Sequence, residues 1–168
     1  WTILLAEILV NQGEYDQALS VLYDIPEDNP NYPSVLVILS DLYKAQGYYD
    51  VAERKLLLAK ELAPEEVILD FYLGTLLFES GAMERSVQYL ERFLNSSQEE
   101  TGEENRAREL LVEASLEIGN DEPLQKLVSD EGLESASNEL LVTIAKHDVQ
   151  DGNYDHAEKL YQEILSRD

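Results

Sequence analysis

The chain has 168 residues, of which 44% are hydrophobic, and its 12 Lys and Arg residues stand against 35 Asp and Glu, for a formal net charge of -23. This length and apolar content suffice for one domain with a buried core or for a short stack of repeats. The negative charge opposes binding to nucleic acid and to anionic membrane surfaces, and it favours basic partners.

The composition and the length of the apolar runs exclude several kinds of site and segment. The chain contains no Cys, which excludes disulfides, thiolate zinc sites and cysteine nucleophiles, and we expect a cytoplasmic location. Apolar runs such as "ILLA" are far shorter than the roughly 20 residues that span a bilayer, so we expect no membrane segment. Because the chain opens on Trp1 within a helical pattern, without an initiator Met, we expect it to be a piece of a longer protein.

Apolar residues recur at helical spacing along the whole chain, as at Leu36, Leu39 and Leu42. This periodicity predicts ten helices. In chain order they span residues 1–12, 15–24, 32–46, 49–62, 65–79, 83–95, 104–118, 121–130, 135–151 and 154–167. Pro123 is compatible with the eighth of them because proline is tolerated in the first turn of a helix.

Five glycines divide these helices into pairs. They are Gly13, Gly47, Gly81, Gly119 and Gly152, at intervals of 34, 34, 38 and 33 residues. Each stands where a first helix must stop and turn sharply, a place that commonly needs the positive φ that glycine adopts without penalty. A period of this size is typical of stacked units that bury their apolar faces against neighbours. We therefore predict these glycines as the structural turns of a repeat.

Other positions repeat with the glycines. Two residues later a large side chain can pack into the turn, and an acid follows that suits the next helix N-terminus. The large residues are Tyr15, Tyr49, Met83 and Tyr154. Five residues after the glycine stands a small residue that lets two helices cross closely. These small residues are Ala18, Ala52, Ser86 and Ala157, and Pro30 and Pro64 mark the ends of repeats.

This order of Gly, aromatic, acid, Ala and closing Pro resembles the tetratricopeptide repeat family, most closely from Asn11 to Phe93 and again in "GNYDHAEKLYQEIL" near the end. The resemblance implies an all-α, right-handed solenoid of about five helix-turn-helix units, forming a single domain over residues 1–168. The repeats span about 1–31, 32–65, 66–98, 104–134 and 135–168. The fourth is degenerate, and an acidic, helix-poor insertion occupies 95–104.

Catalytic and cofactor motifs are absent from the sequence. It has no glycine-rich phosphate loop, no G-x-S-x-G and no H-E-x-x-H. The only two histidines, His147 and His156, fall on different predicted helices, and we expect neither an i, i+4 histidine nor a convergent carboxylate beside them. We interpret both as surface residues and predict no enzyme activity, no cofactor and no metal site.

The resemblance also implies that the first helix of each repeat lines the concave side and forms a partner-binding groove. First-helix positions that face neither neighbour are Ile3, Glu7, Val37, Asp41, Lys44, Phe71, Tyr72, Thr75, Phe78, Glu109 and Glu113. Their mixture of apolar, aromatic and acidic side chains predicts that the groove holds a peptide or helix of a partner protein with apolar and basic residues. A non-catalytic scaffold or adaptor is therefore the leading hypothesis.

Two alternatives stay open. Phe71 and Phe78 can instead fill the core between the second and third repeats. The apolar residues at both ends of the chain, such as Leu4 and Leu165, favour a self-assembly module that forms a homodimer, because large exposed apolar patches rarely go unused.

Overall fold

A computed structural model of the chain describes residues 1–97, 102–124, 126 and 136–167. Its helices are α1 (Thr2–Asn11), α2 (Tyr15–Tyr23), α3 (Tyr32–Ala45), α4 (Tyr49–Leu62), α5 (Ile68–Glu79), α6 (Met83–Ser96), α7 (Gly102–Glu117), α8 (Asn138–Asp151) and α9 (Tyr154–Arg167). These residues contain no strand, so the expected all-α fold of helix pairs is confirmed. The predicted helix at 121–130 lies in part outside the described residues.

Two helix starts and one insertion differ from the prediction. The helix predicted from residue 65 begins at Ile68, because the turn before it is closed by short-range bonds such as Glu66 N–H to the Ala63 carbonyl (3.1 Å). The helix predicted from residue 135 begins at Asn138, where the Ser137 hydroxyl accepts the Leu140 N–H as an N-cap.

The described ends of the acidic insertion at 95–104 are mostly helical, contrary to expectation. Helix α6 continues through Ser96, and α7 begins at Gly102. Ser97 ends α6, and its hydroxyl donates to the carboxylate of Glu104, which is buried in α7. The centre of the insertion, residues 98–101, lies outside the described residues.

The chain divides into two compact units, Trp1–Gly81 and Ala82–Asp168. In the N-terminal unit, α1 pairs with α2 and α3 with α4, while α3 also packs on α1 and α2, and α5 packs on α4. Its core is a cluster of fully buried leucines, Leu22, Leu36, Leu39 and Leu42, with Ala6 and Ala18. In the C-terminal unit, α6 pairs with α7 and α8 with α9, around Leu140, Leu141, Ile144 and Leu160.

The repeat positions explain how paired helices approach each other. Ala18, Ala52, Ser86 and Ala157 are all at most 2% exposed, as close helix crossing requires. The large residue of the turn is less uniform: Tyr15 packs against the N-terminal core, but Tyr154 is 65% exposed. The interpretation that this position packs into the turn is therefore wrong for Tyr154, where the ring projects from the start of α9.

The turn after α3 shows why a glycine is needed. Gly47 has φ +81°, its N–H donates to the Lys44 carbonyl (2.8 Å), and the next N–H, from Tyr48, donates to the Tyr43 carbonyl (2.9 Å). This pair of bonds is a Schellman motif, which satisfies the last carbonyls of a helix and needs a left-handed residue at its centre. The other four turn glycines have φ between +73° and +82°.

Gly47→Ala is expected to lower the free energy of unfolding by about 1–2 kcal/mol, the cost of a left-handed conformation for a residue with a Cβ. A Cβ at Gly47 would meet nothing within 4 Å, so the cost comes from φ alone. The matched control is Gly102→Ala in α7, which has no positive φ and equally open space, and it should cause no loss. Equal losses in urea denaturation would contradict the turn assignment.

Among the helices that the structure describes, none combines the length and the apolar character that crossing a membrane requires.

Candidate functional site

Three first helices lie next to one another in the N-terminal unit. Helix α1 packs on α3. At the C-terminal ends of α3 and α5, Lys44 Nζ lies 3.4 Å from Glu79 Oε1. Nine of the eleven predicted binding residues belong to these three helices, whereas Glu109 and Glu113 belong to α7 of the C-terminal unit.

The predicted residues occupy a partly exposed stripe on each helix. Val37, Asp41 and Lys44 are spaced i, i+4, i+7, which places them on one face of α3, and none of them is fully buried. Leu36 and Leu39 point into the core and are fully buried. In α1, Ile3 is half-buried and packs against the same core, while Glu7 is exposed.

Helix α5 carries the aromatic part of this face. Phe71, Thr75 and Phe78 are half-buried and Tyr72 is exposed. The rings of Phe71 and Tyr72 are 5.9 Å apart between centroids and tilted by 52°. Leu73, on the other side of the helix, is completely buried. The difference in burial separates α5 into a core side and a partly exposed aromatic side.

A charged cluster lies beside the aromatic residues. Lys44 Nζ is 3.8 Å from Asp41 Oδ1 and 3.4 Å from Glu79 Oε1, so one cation serves two carboxylates. The pKa of Asp41 is raised, first because the surrounding helices displace water and then because Glu79 repels its charge, while Lys44 opposes the rise. This part of the face therefore has excess negative charge.

Glu79 was not among the predicted residues. It lies four residues after Thr75 and eight after Phe71, so it continues the same helical stripe, and this spacing is the signal that could have found it. The nine predicted residues of α1, α3 and α5 form, together with Glu79, a surface that we call the first-helix face.

The C-terminal unit carries acids on α7. Glu109 and Glu113 are half-buried, and Arg106 Nη1 lies 3.2 Å from Glu109 Oε2. The pKa of Glu113 is raised, mainly by burial and further by nearby carboxylates that include Glu117, with Arg106 opposing the rise. A cleft of about 380 Å³ lies here between α7 and α8. Its lining residues are Glu113, Leu116, Glu117, Thr143, Lys146, His147 and Gln150.

The expectation that no carboxylate converges on a histidine is wrong. Asp151 Oδ2, four residues further along α8, lies 3.6 Å from His147 Nδ1, and Asp121 Oδ1 lies 3.6 Å from His147 Nε2. The i, i+4 spacing of His147 and Asp151 was visible in the sequence. The other histidine, His156, is bonded through Nδ1 to Asp148 Oδ2 at 2.7 Å.

A second apolar surface lies on α1, away from the predicted residues of that helix. Trp1, Leu4, Leu5 and Ile8 are all exposed, and they line a cleft of about 560 Å³ together with Val21 and Asp24. This surface is the structural basis for the self-assembly alternative.

Comparison with known proteins identifies the repeat. A family model described as YpiA-like, tetratricopeptide repeats, matches residues 44–98. The TPR repeat-containing protein YpiA of Bacillus subtilis (strain 168) is 45% identical over 84 residues, which are 50% of this chain and 20% of YpiA. The chain therefore spans about one fifth of the length of this curated relative.

Solved structures share the fold at low sequence identity. MamA from Desulfovibrio magneticus RS-1 matches 96% of this chain and 90% of its own, with a TM-score of 0.77 and 18% identity. PilF of Pseudomonas aeruginosa matches 98% of this chain and 74% of its own, with a TM-score of 0.74 and 16% identity. These structures support the fold alone. Residues 44–98 therefore carry repeats of the YpiA-like tetratricopeptide kind, and the solved structures show that the chain shares the helical repeat fold.

Proposed function

We propose that this chain is a non-catalytic scaffold or adaptor that binds an apolar and basic segment, a peptide or a helix, of a partner protein on its first-helix face. Tetratricopeptide repeat proteins generally serve in protein–protein interaction or scaffolding. The observation that carries the proposal is the partly exposed aromatic stripe of α5, which lies beside the Asp41, Lys44 and Glu79 cluster.

The aromatic stripe supplies the apolar part of the contact. Phe71, Tyr72 and Phe78 keep part of their surface exposed, and aromatic side chains dominate the energetics of protein interfaces. Val37 and Ile3 extend the apolar surface onto α3 and α1. A short amphipathic segment fits such a surface, because its apolar side chains recur along one side.

The carboxylates supply selectivity for basic residues. Asp41 and Glu79 share one lysine, and Glu7 adds an exposed acid on α1. A Lys or Arg of the partner would make charge-assisted hydrogen bonds with these oxygens. The net charge of -23 attracts basic segments over a longer range and repels nucleic acid and anionic membranes. A basic segment of a protein partner is therefore part of the proposal, and we also propose that the two proteins meet in the cytoplasm.

The test is capture of partners from a native cell extract on the immobilised chain, analysed by mass spectrometry. We expect a protein that the unmodified chain retains to be lost with Phe71→Ala/Phe78→Ala. The matched control is Leu58→Ala/Leu62→Ala, which removes two exposed apolar side chains from α4 of the same unit. Thermal melts of both variants establish that each is folded.

The two double variants decide the outcome. Binding at the first-helix face is supported if the partner is retained by the unmodified chain and by Leu58→Ala/Leu62→Ala but lost with Phe71→Ala/Phe78→Ala. Retention should also weaken at high salt, because salt screens the attraction between the carboxylates and a basic partner. Equal retention by both variants would contradict the assignment of binding to this face.

The second candidate function is homodimerisation through the exposed α1 surface. The four apolar residues Trp1, Leu4, Leu5 and Ile8 favour it, because large exposed apolar patches mark interaction sites. Light scattering should then show a molecular mass that rises with concentration in the unmodified chain and stays at one chain in Leu5→Glu. A strict monomer at high concentration would contradict this candidate.

A further inference from the structure

His147 is placed between two carboxylates at the C-terminal end of α8. One ligand atom from each of Asp121, His147 and Asp151 lies within 4.8 Å of the other two. The imidazole is largely covered, with 21% of the side chain exposed, whereas both carboxylates are about half-exposed. An imidazole with carboxylates is a ligand set that divalent transition metal ions such as Zn²⁺ accept.

The distances distinguish this group from an ordinary hydrogen-bonded histidine. His156 is bonded to Asp148 at 2.7 Å, so its contact is a hydrogen bond. The two contacts of His147 are both 3.6 Å, which is too long for a hydrogen bond. Ligand bonds of about 2.0–2.2 Å in a tetrahedral zinc site place neighbouring ligand atoms about 3.3–3.6 Å apart. The two carboxylates lie beside different ring nitrogens, and a single ion binds only one of these nitrogens. The carboxylate beside that nitrogen is already at the spacing of neighbouring ligand atoms, and the other, within 4.8 Å, reaches the ion by a side-chain rotation.

The fold brings the three residues together from two segments. Asp151 is the last residue of α8 and follows His147 by one turn. Asp121 comes from the loop after α7, where Gly119 has φ +73° and Asn120 Oδ1 accepts the Glu122 N–H at 3.1 Å. The C-terminal end of a helix also favours a cation, because the helix dipole is negative there.

The side of His147 that faces the cleft between α7 and α8 offers room for further ligands. That cleft has a volume of about 380 Å³, and Glu117 and Gln150 contribute oxygen-bearing side chains to its lining. A metal ion bound to three protein ligands keeps a coordination position that water can fill.

We propose that Asp121, His147 and Asp151 bind a divalent transition metal ion, with Zn²⁺ as the best fit. The two carboxylates balance the charge of the ion and the imidazole supplies the nitrogen ligand. Ca²⁺ and Mg²⁺ fit less well, because they require six or more oxygen ligands and gain nothing from imidazole. Such an ion ties the loop after α7 to the end of α8 and stabilises the C-terminal unit.

Titration of the chain with ZnCl₂, observed by NMR through the imidazole ring protons, tests the site. The chain has only two histidines, so each gives its own set of ring signals, and His147→Gln assigns them. We expect the His147 signals to change and to saturate at one equivalent of Zn²⁺ while those of His156 stay in place. Parallel changes at both histidines without saturation, or no change at His147, would overturn the proposal.

Calorimetry with variants supplies the second test. Zn²⁺ affinity should fall at least tenfold in His147→Gln and in Asp151→Asn, because each removes a ligand. The matched control is His156→Gln, which removes the other imidazole and should leave the affinity unchanged. Millimolar Mg²⁺ should not displace Zn²⁺ from the unmodified chain. If His147→Gln and Asp151→Asn both bind Zn²⁺ as tightly as the unmodified chain, the proposed site is wrong.

Discussion

Leu73→Ala is expected to lower the free energy of unfolding by about 2–5 kcal/mol, the range for removing a buried leucine side chain and leaving a cavity. Leu73 lies on the core side of α5 and is 0% exposed. Its neighbours in the helix leave little freedom to collapse, since Gly74 is buried and Leu76 and Leu77 are at most 3% exposed. Urea denaturation followed by circular dichroism measures the loss.

Phe71→Ala is the matched comparison, two residues earlier on the same helix. Phe71 is half-buried, so truncation removes less buried area and opens no closed cavity, and its cost should be well below that of Leu73→Ala. Equal losses would show that Phe71 belongs to the core. Phe71 would then not belong to the partly exposed aromatic stripe, and the first-helix face would no longer be the preferred binding surface.

The turns could be predicted because each depends on one residue type at one conformation. Only glycine adopts a φ near +80° without strain, so the intervals between the glycines indicate where each pair of helices turns. The start of α8 was harder to predict from the sequence, because it depends on one hydrogen bond, in which the Ser137 hydroxyl accepts the Leu140 N–H. Periodicity continues across such a cap and predicts a helix that begins too early.

The candidate site could be predicted only as far as single helices determine it. The stripe on α5 follows from spacing, and Glu79 and Asp151 were within reach of the same rule. Asp121 was not, because it reaches His147 from a loop 26 residues earlier. Contacts between segments depend on how helices pack, and helical periodicity carries no information about them.

The ion pair between α4 and α5 is a second contact of this kind. Asp70 Oδ2 lies 2.8 Å from Lys60 Nζ, and the Asp70 side chain is only 8% exposed. On the sequence alone, Asp70 is explained as an acid in the first turn of α5 that interacts favourably with the helix dipole. In the folded chain, Asp70 is a buried carboxylate whose Oδ1 has no hydrogen-bond partner among the described residues. The charge of Asp70 is therefore stabilised mainly by Lys60.

Lys60→Met is therefore expected to lower the free energy of unfolding by about 3 kcal/mol. Removing one partner of a buried pair leaves an uncompensated charge and typically costs 3–5 kcal/mol. The low end applies because Lys60 is itself 26% exposed, which lets water reach the pair. The comparison is Arg54→Met on the same helix. Arg54 pairs with Asp50, and their side chains are 71% and 80% exposed, so the loss of this pair should lower the free energy of unfolding by about 0.5 kcal/mol or less.

A double variant separates the charge from the packing. Lys60→Met/Asp70→Leu removes both charges and fills the space with apolar atoms, so it should recover most of the stability lost in Lys60→Met. That recovery would show that the loss comes from an isolated buried carboxylate rather than from the missing lysine stem. A double variant as unstable as Lys60→Met, or a Lys60→Met loss no larger than that of Arg54→Met, would show that Asp70 does not depend on Lys60 in the folded chain.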